Sequence, residues 1–418
     1  MSRLTEGIAV GVLVLLAATA PASAVSGSSN ARAYAGSNVT FDLQGSAVTN
    51  YTVGGHAVVQ SLGVQSSSKA GGGSVLGGSA SGSLSSTTSA SFAGLSIGAK
   101  TETSASVTAE SGATITAHDT ADGVLVVNAS GGDAQTVVAN LSDGAAATSG
   151  GQNQVQVKTS DGTQATFIAV GNASVAVNDG GNVTAEVGSG GKLVLRSYPN
   201  GKTDADSHAD SLIASGKAAG EVDATGSANS SGQVATDAVT YANDTTVSAS
   251  QSAKSTVNVT VDRATHEGTV VVASVSKAAV GATDNLSVNV DGKAAVKASS
   301  YSDLESAVGS DHCAYLVTQN AKAQGKATVF VAFDHFSKQT AEVSGSSSSN
   351  ATSGTGSSSS ASNASSSASG SSTGGTSSST GGSSGSSSTS GSSSPGFGVL
   401  AVAGALVALA AIAFVRRD

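Results

Sequence analysis

From residue 121 to residue 343 the chain is written in short runs that alternate apolar and polar residues, and this pattern constrains its fold most. "GVLVVNAS", "QTVVANLS", "NQVQVKTS", "ATFIAV", "ASVAVND", "NVTAEV" and "KLVLRS" follow one another. Asp143-Gly144, Asp161-Gly162 and Asp179-Gly180 supply turns between them. A period of two sends successive side chains to opposite faces, as a half-buried strand requires. Strands recurring roughly every 8–12 residues with turn signals between them predict a β-sandwich or a short β-solenoid. "TTVSAS", "STVNVTVD", "GTVVVASV", "LSVNVDG", "AAVKAS", "AYLVTQ", "ATVFVAF" and "QTAEV" repeat the pattern in a second block.

Two segments break the alternation. "DADSHADSLIASGKAAGEV" predicts a short helix near 207–216, capped by Asp206 or Ser207 and ended by Gly216. Ser302 before "DLESAV", with Glu305 three residues on, predicts a second one through a capping box.

The side-chain inventory agrees with thin β structure. There is no Trp, and 8 Phe and 6 Tyr serve 418 residues, so any core is built mainly of Val and Ala. Branched Cβ atoms favour the pleated, extended backbone. Nearer the N-terminus, 38–65 alternates and reads as two or three strands, whereas the following stretch is almost pure Ser, Gly, Ala and Thr with weak β character. The predicted class is all-β, with one or two sandwich or short solenoid units. Its expected divisions are 25–120 (Ser/Gly/Ala-rich), 121–234 (β-rich with one helix) and 235–343 (second β-rich unit).

The ends carry address information. Arg3, the apolar run Ile8–Ala18 and the Ala22-Ser23-Ala24 pattern read as a signal peptide over 1–24, cleaved after Ala24. Residues 344–394 contain only Ser, Gly, Ala, Thr and Asn. Such a segment cannot offset its ordering entropy by burial and is expected to be a disordered stalk. In the last segment, 395–418, Phe397–Val415 is uncharged and as a helix spans about 28 Å, enough to cross a bilayer. Arg416 and Arg417 follow it and are expected to stay cytoplasmic.

Pro395-Gly396-Phe397, the apolar helix, Arg416-Arg417 and the preceding stalk together resemble the PGF-type C-terminal sorting signal of archaeal surface proteins. "ATVFVAFDHFSKQTAEV" and "KLVLRSYPNGKTDADSHADSLIASGKAAGEV" are similar to segments of haloarchaeal surface proteins. The resemblance implies the membrane as a partner and processing by an archaeosortase-type enzyme that removes the tail, a lipid taking its place. It also implies other surface-layer proteins as neighbours.

Asn38, Asn50, Asn128, Asn140, Asn172, Asn182, Asn229, Asn243, Asn258, Asn285, Asn350 and Asn363 all stand in Asn-x-Ser/Thr and are candidate N-glycosylation sites. The expected protein is therefore secreted, glycosylated and held at the outer face of the cell membrane, with a structural, surface-layer-associated role. The alternative is an adhesin or ligand-binding module displayed on the stalk.

Chemistry-bearing motifs are sparse. "GLSIG" places Ser96 in a Gly-x-Ser-x-Gly pattern, but no helix-like segment follows, as a nucleophile elbow needs. Asp204, Asp206, His208 and Asp210 suggest a cation loop, yet Ala209 and Ser215 occupy the glycine and bidentate-acid positions of an EF-hand. "DHC" (311–313) and "DHF" (334–336) offer His312, Cys313 and His335, but neighbouring strand residues face opposite ways. The single cysteine, Cys313, has no intrachain disulfide partner. The net charge of −9 and the lack of a basic stripe argue against nucleic-acid binding. No metal, cofactor or catalytic set is expected, and the chain reads as a non-enzyme.

Overall fold

The computed structural model describes residues 32–69, 84, 94–129, 133–151, 153–265, 267–319, 325–334 and 338–346. The signal peptide with Ala22 and Ala24, residues 347–394 of the expected stalk with Asn350 and Asn363, and Pro395, Gly396, Phe397, Arg416 and Arg417 lie outside the described residues, whereas Ser344 and Gly345, expected to begin the stalk, are paired in the last strand. So does His335. Among the described residues no helix is long and apolar enough to cross a membrane.

The first half of the body is all strand: β1 (Tyr34–Ala35), β2 (Val39–Gln44), β3 (Ala47–Val53), β4 (His56–Ser66), β5 (Leu95–Lys100), β6 (Ser104–Ala109), β7 (Ala113–His118), β8 (Val124–Ala129), β9 (Gln135–Leu141), β10 (Ala146–Ser149), β11 (Gln154–Lys158), β12 (Gln164–Val170), β13 (Ala173–Val177), β14 (Val183–Val187) and β15 (Lys192–Tyr198). Helix α1 (Asp204–Ala214) follows. The second half contains β16 (Ala218–Ala224), β17 (Asp237–Thr240), β18 (Thr245–Ala253), β19 (Thr256–Arg263), β20 (Thr269–Ser276), α2 (Lys277–Val280), β21 (Leu286–Val290), β22 (Lys293–Ala294), β23 (Val296–Lys297), α3 (Tyr301–Ala307), β24 (Ala314–Gln319), β25 (Lys326–Phe333) and β26 (Lys338–Gly345).

These strands form four sheets. The first has the order β1-β2-β3-β4-β9-β14-β13 and the second β10-β11-β12-β15-β8-β7-β6-β5. They enclose a core that includes Phe41, Tyr51, Leu62, Ile115, Leu125, Phe167 and Leu195. The third sheet, β17-β16-β20-β25-β24-β23, and the fourth, β18-β19-β26-β21-β22, enclose another, with Val222, Val259, Val271, Val329, Phe333 and Val343. Pairing is antiparallel except between β16 and β20 and between β23 and β24.

A third apolar cluster fuses the two sandwiches. Val124, Val126, Ile168 and Val194 leave the outer face of the second sheet, while Val270, Val272 and Phe330 leave the outer face of the third. Leu212 and Ile213 of α1 and Leu304 of α3 join them. Each such side chain contributes roughly 1.5–3 kcal/mol on burial. Strand β8 shows how one strand serves two cores, with Leu125 and Val127 on one face and Val124 and Val126 on the other.

The sheets cut across the expected divisions. Strands β1–β7, from the region 25–120, pair with β9 and β8 and belong to the first sandwich. Strand β16 pairs with β20, so the change of sandwich falls at α1 and not at 234. The helix caps also shift. Thr203, not Asp206 or Ser207, caps α1: its side chain accepts from the Asp206 amide, and Asp206 Oδ2 accepts from the Thr203 amide at 2.8 Å. Ser300, not Ser302, caps α3 by accepting from the Asp303 amide at 3.1 Å. In both, the cap is the hydroxyl three residues before the amide it accepts from, because the free amides sit in the first turn.

Candidate functional site

The junction between the sandwiches is built on β15, whose "KLVLRSY" alternates between two environments. Leu193 and Leu195 enter the first core. Lys192, Val194, Arg196 and Tyr198 share the opposite face, toward the third sheet. On β16 the alternation is reversed: Val222 and Ala224 enter the second core, so Glu221 and Asp223 face back toward β15. A Cβ on Gly220 in this strand would lie 2.5 Å from the Val239 carbonyl oxygen, so only glycine lets β17 approach. The capped helix α1 brings in Asp210, and the turn before β8 brings in Asp122.

Arg196 is the hub, with only 2% of its side chain exposed. Its Nη1 donates to Asp210 Oδ1 at 2.7 Å and its Nη2 to Asp122 Oδ2 at 3.0 Å. Its Nε lies 3.1 Å from Glu221 Oε2. Tyr198 donates to Asp210 Oδ1 at 2.5 Å, Tyr241 donates to Glu221 Oε2 at 2.9 Å, and Lys202 Nζ lies 2.6 Å from Asp210 Oδ2. Further along the same face, Lys192 donates to the carbonyls of Thr240 at 3.0 Å and Ala242 at 3.3 Å. At the other end His118 Nδ1 lies 2.9 Å from Asp237 Oδ2. Arg196–Asp210 and Tyr198–Asp210 join β15 to α1, while Arg196–Glu221, the Lys192 contacts and His118–Asp237 join first-half strands to the second half of the chain; Arg196–Asp122, Tyr241–Glu221 and Lys202–Asp210 hold the acids in place.

The electrostatics follow from the inventory. Four carboxylates, Asp122, Asp210, Glu221 and Asp223, face two cations, Arg196 and Lys202. Burial works against the Arg196 charge, but Glu221, Tyr198, Asp210 and Asp122 hold its pKa well above the ordinary value. The surplus acids respond the other way. Burial raises Asp122 well above the usual carboxylate range although Arg196 opposes it. Burial also raises Asp223 to about 6, against hydrogen bonds from Thr225 and the Ala121 amide. The site thus retains protons that a solvated carboxylate loses.

Beside it lies a cleft of about 70 Å³ lined by Asp122, Tyr198, Asn200, Asp206, Ser274 and Lys326, drawn from both halves of the chain. That is room for a few waters or a very small polar group.

The residues singled out by sequence are dispersed. Asp206 completes the capping box of α1 from its first turn, Asp210 enters the junction, and His208 stacks on Tyr301 with ring centroids 3.7 Å apart while its Nε2 lies 3.3 Å from Glu305 Oε1. Among the described residues no group of three or more His, Cys, Asp or Glu side chains is arranged to hold a metal ion. Ser96 lies in β5 opposite Thr108, in a strand and not at a strand-to-helix turn. His312 pairs with Asp311 at 3.0 Å, and burial lifts the half-buried Cys313 thiol to about 11. Asn50, Asn172, Asn229, Asn243 and Asn285 are exposed, whereas Asn38, Asn128, Asn140, Asn182 and Asn258 are half-buried. Sequence reasoning missed Arg196, Asp122, Glu221 and Asp223. The available signal was charge inside apolar strand runs, "KLVLRSY" and "GEVDA".

No protein-family model matches the chain, and no curated protein matches it. Among solved structures it is similar to the E515A mutant of a glycoside hydrolase of family 81 from Clostridium thermocellum, at 10% identity and a TM-score of 0.29. The match covers 73% of this chain and 34% of that enzyme. A likeness that weak carries no argument about fold or activity.

Proposed function

We propose that the chain is a secreted, glycosylated surface protein, anchored through its C-terminus, with a structural, non-catalytic role in the cell envelope. The observation that carries this reading is how the chain leaves its body. The last strand, β26, runs directly into the stalk region, and it is a central strand of the fourth sheet. It is hydrogen-bonded antiparallel to β19 on one side and to β21 on the other. Tension applied through a C-terminal anchor loads two ladders at once along the strand axis, which a tethered body needs. The junction then passes load between sandwiches through Arg196 and the apolar cluster around α1.

Mass spectrometry of the mature protein tests the proposal. The expected chain begins near Val25, lacks the residues after the Pro395-Gly396-Phe397 signal and carries glycans. An intact "AFVRRD" end on an unglycosylated cytoplasmic chain overturns it.

A displayed binding module is the second reading, favoured by an open polar groove of about 390 Å³ lined by Thr52, Gln60, Asp143, Thr159, Ser160 and Asp161. Adhesion of a deletion strain complemented with groove variants separates the two readings: adhesion lost with the groove supports the binder.

A further inference from the structure

The outward face of the first sheet carries a polar row of which three members, the side chains of Ser174, Glu186 and Gln65, have no hydrogen-bond partner among the described residues. Strand alternation defines the face. Val183, Ala185 and Val187 of β14, Val137 and Ala139 of β9, and Leu62 and Val64 of β4 all enter the first core, and Ala173, Val175 and Val177 of β13 pack against it. Ser174, Glu186, Thr136 and Gln65 therefore face the other way. Strand register puts them in one line: Ser174 opposite Glu186, Glu186 opposite Thr136, Thr136 opposite Gln65. Directly opposed residues have Cβ atoms about 5 Å apart, so long side chains at either end reach over Thr136.

Glu186 is 2% exposed and Gln65 is 1% exposed. Both carboxylate oxygens of Glu186, both amide atoms of Gln65 and the Ser174 hydroxyl are buried without a hydrogen-bond partner. Among the described residues no Lys, Arg or His forms an ion pair with Glu186. Thr136 Oγ1 is already bonded to Ser67 Oγ at 3.0 Å. A lone buried carboxylate and a row of unpaired oxygens are costly, and native structures hold such groups for a reason.

We propose that this row binds a monovalent alkali cation, Na⁺ or K⁺, with Glu186 as the charged ligand and the Gln65 carbonyl and Ser174 hydroxyl oxygens as neutral ones. Hard cations take oxygen ligands of this kind. A proton on Glu186 gives one donor, enough for Gln65 or for Ser174 but not both, whereas an ion takes several oxygens together. Charge sets the valence. One carboxylate neutralises one positive charge, so a monovalent ion gives a neutral buried complex and a divalent ion leaves a net charge.

The test uses the mature chain and its Glu186→Gln variant in thermal unfolding. NaCl, KCl and choline chloride are compared at equal ionic strength, so that general screening is constant. The expected wild-type midpoint rises with the logarithm of Na⁺ or K⁺ concentration and does not rise with choline, as binding to the folded state alone requires. Glu186→Gln loses the distinction between the three salts. Sodium-NMR linewidths of the wild type supply a second readout should the variant fail to fold: they broaden on addition of protein and sharpen on addition of K⁺. Equal wild-type midpoints in all three salts overturn the proposal. So does an alkali dependence kept by Glu186→Gln, or a midpoint that responds to millimolar CaCl₂ alone.

Discussion

The molecule buries charge in two places and treats it in opposite ways. At the junction, Arg196 meets Asp122, Asp210 and Glu221 within about one hydrogen-bond length each, and two tyrosines and a lysine hold the acids. On the outward face of the first sheet, Glu186 is as deeply buried and has no partner among the described residues. The difference is one of supply. The junction draws groups from β15, β16, α1 and a turn, four directions that converge. The outer row draws its described members from strands of one sheet, β4, β9, β13 and β14. Arg196 gives Asp122, Asp210 and Glu221 a counter-charge, Asp223 makes do with hydrogen bonds from Thr225 and the Ala121 amide, and none of the described cations pairs with Glu186.

The largest expected effect comes from making the first place resemble the second. Arg196→Met removes the hub cation and leaves Asp210 and Glu221 buried without it, at a cost of about 3–5 kcal/mol by urea unfolding. A loss below about 1 kcal/mol would show that the ion network adds little beyond shape.

Next in size is a pH effect. The folded-state pKa of Asp223 is raised to about 6 from 3.8, so the folded chain holds its proton more tightly than the unfolded chain. Stability from this group is fully present below about pH 4 and is lost as pH rises toward 6, on the order of 3 kcal/mol. Asp122, also raised by burial, adds in the same direction. Asp223→Asn flattens the pH dependence of the unfolding free energy in that window. An unchanged slope sinks the assignment.

A smaller loss, about 1 kcal/mol, is expected from Thr203→Ala, which removes the cap of the helix that carries Asp210. Combined with Arg196→Met it should be less than additive, because the helix then has less of the network to position. Strict additivity in the double mutant would separate the helix from the network.

The smallest effect marks the other limit. His56 and Asp161 form a 2.7 Å pair with side chains 41% and 44% exposed. His56→Ala is expected to leave the thermal midpoint unchanged within error, since exposed pairs stabilise little. A clear drop there would blur the contrast between buried and exposed pairs.

Much of this fold is legible along the chain. Most strands between 121 and 343 fall on the alternating runs, because a pleated strand with one dry face forces that alternation. Strands buried on both faces read as continuous runs instead, "VLVV" in β8, "TVVV" in β20 and "TVFVAF" in β25. The small-residue stretch of 94–118 was harder. Strands β6 and β7 bury Ala105, Ala109, Ala113 and Ala117 beside Val107 and Ile115, and alanine and serine mark neither strand nor loop strongly.

The candidate site was hidden for a different reason. Arg196 and Glu221 lie 25 positions apart, and on paper each is a charge in an otherwise apolar strand. Their pairing depends on which face of β15 meets which face of β16, and on α1 bringing Asp210 between them. By itself the sequence determined most of the strands between 121 and 343, two of the three short helices and an all-β class, since backbone periodicity and turn chemistry act over a few residues. Only the tertiary structure decided that two sandwiches share a junction, which of the buried acids find a cation and which does not. Burial and charge pairing depend on distances between residues far apart in the chain, and those distances exist only once the sheets have stacked.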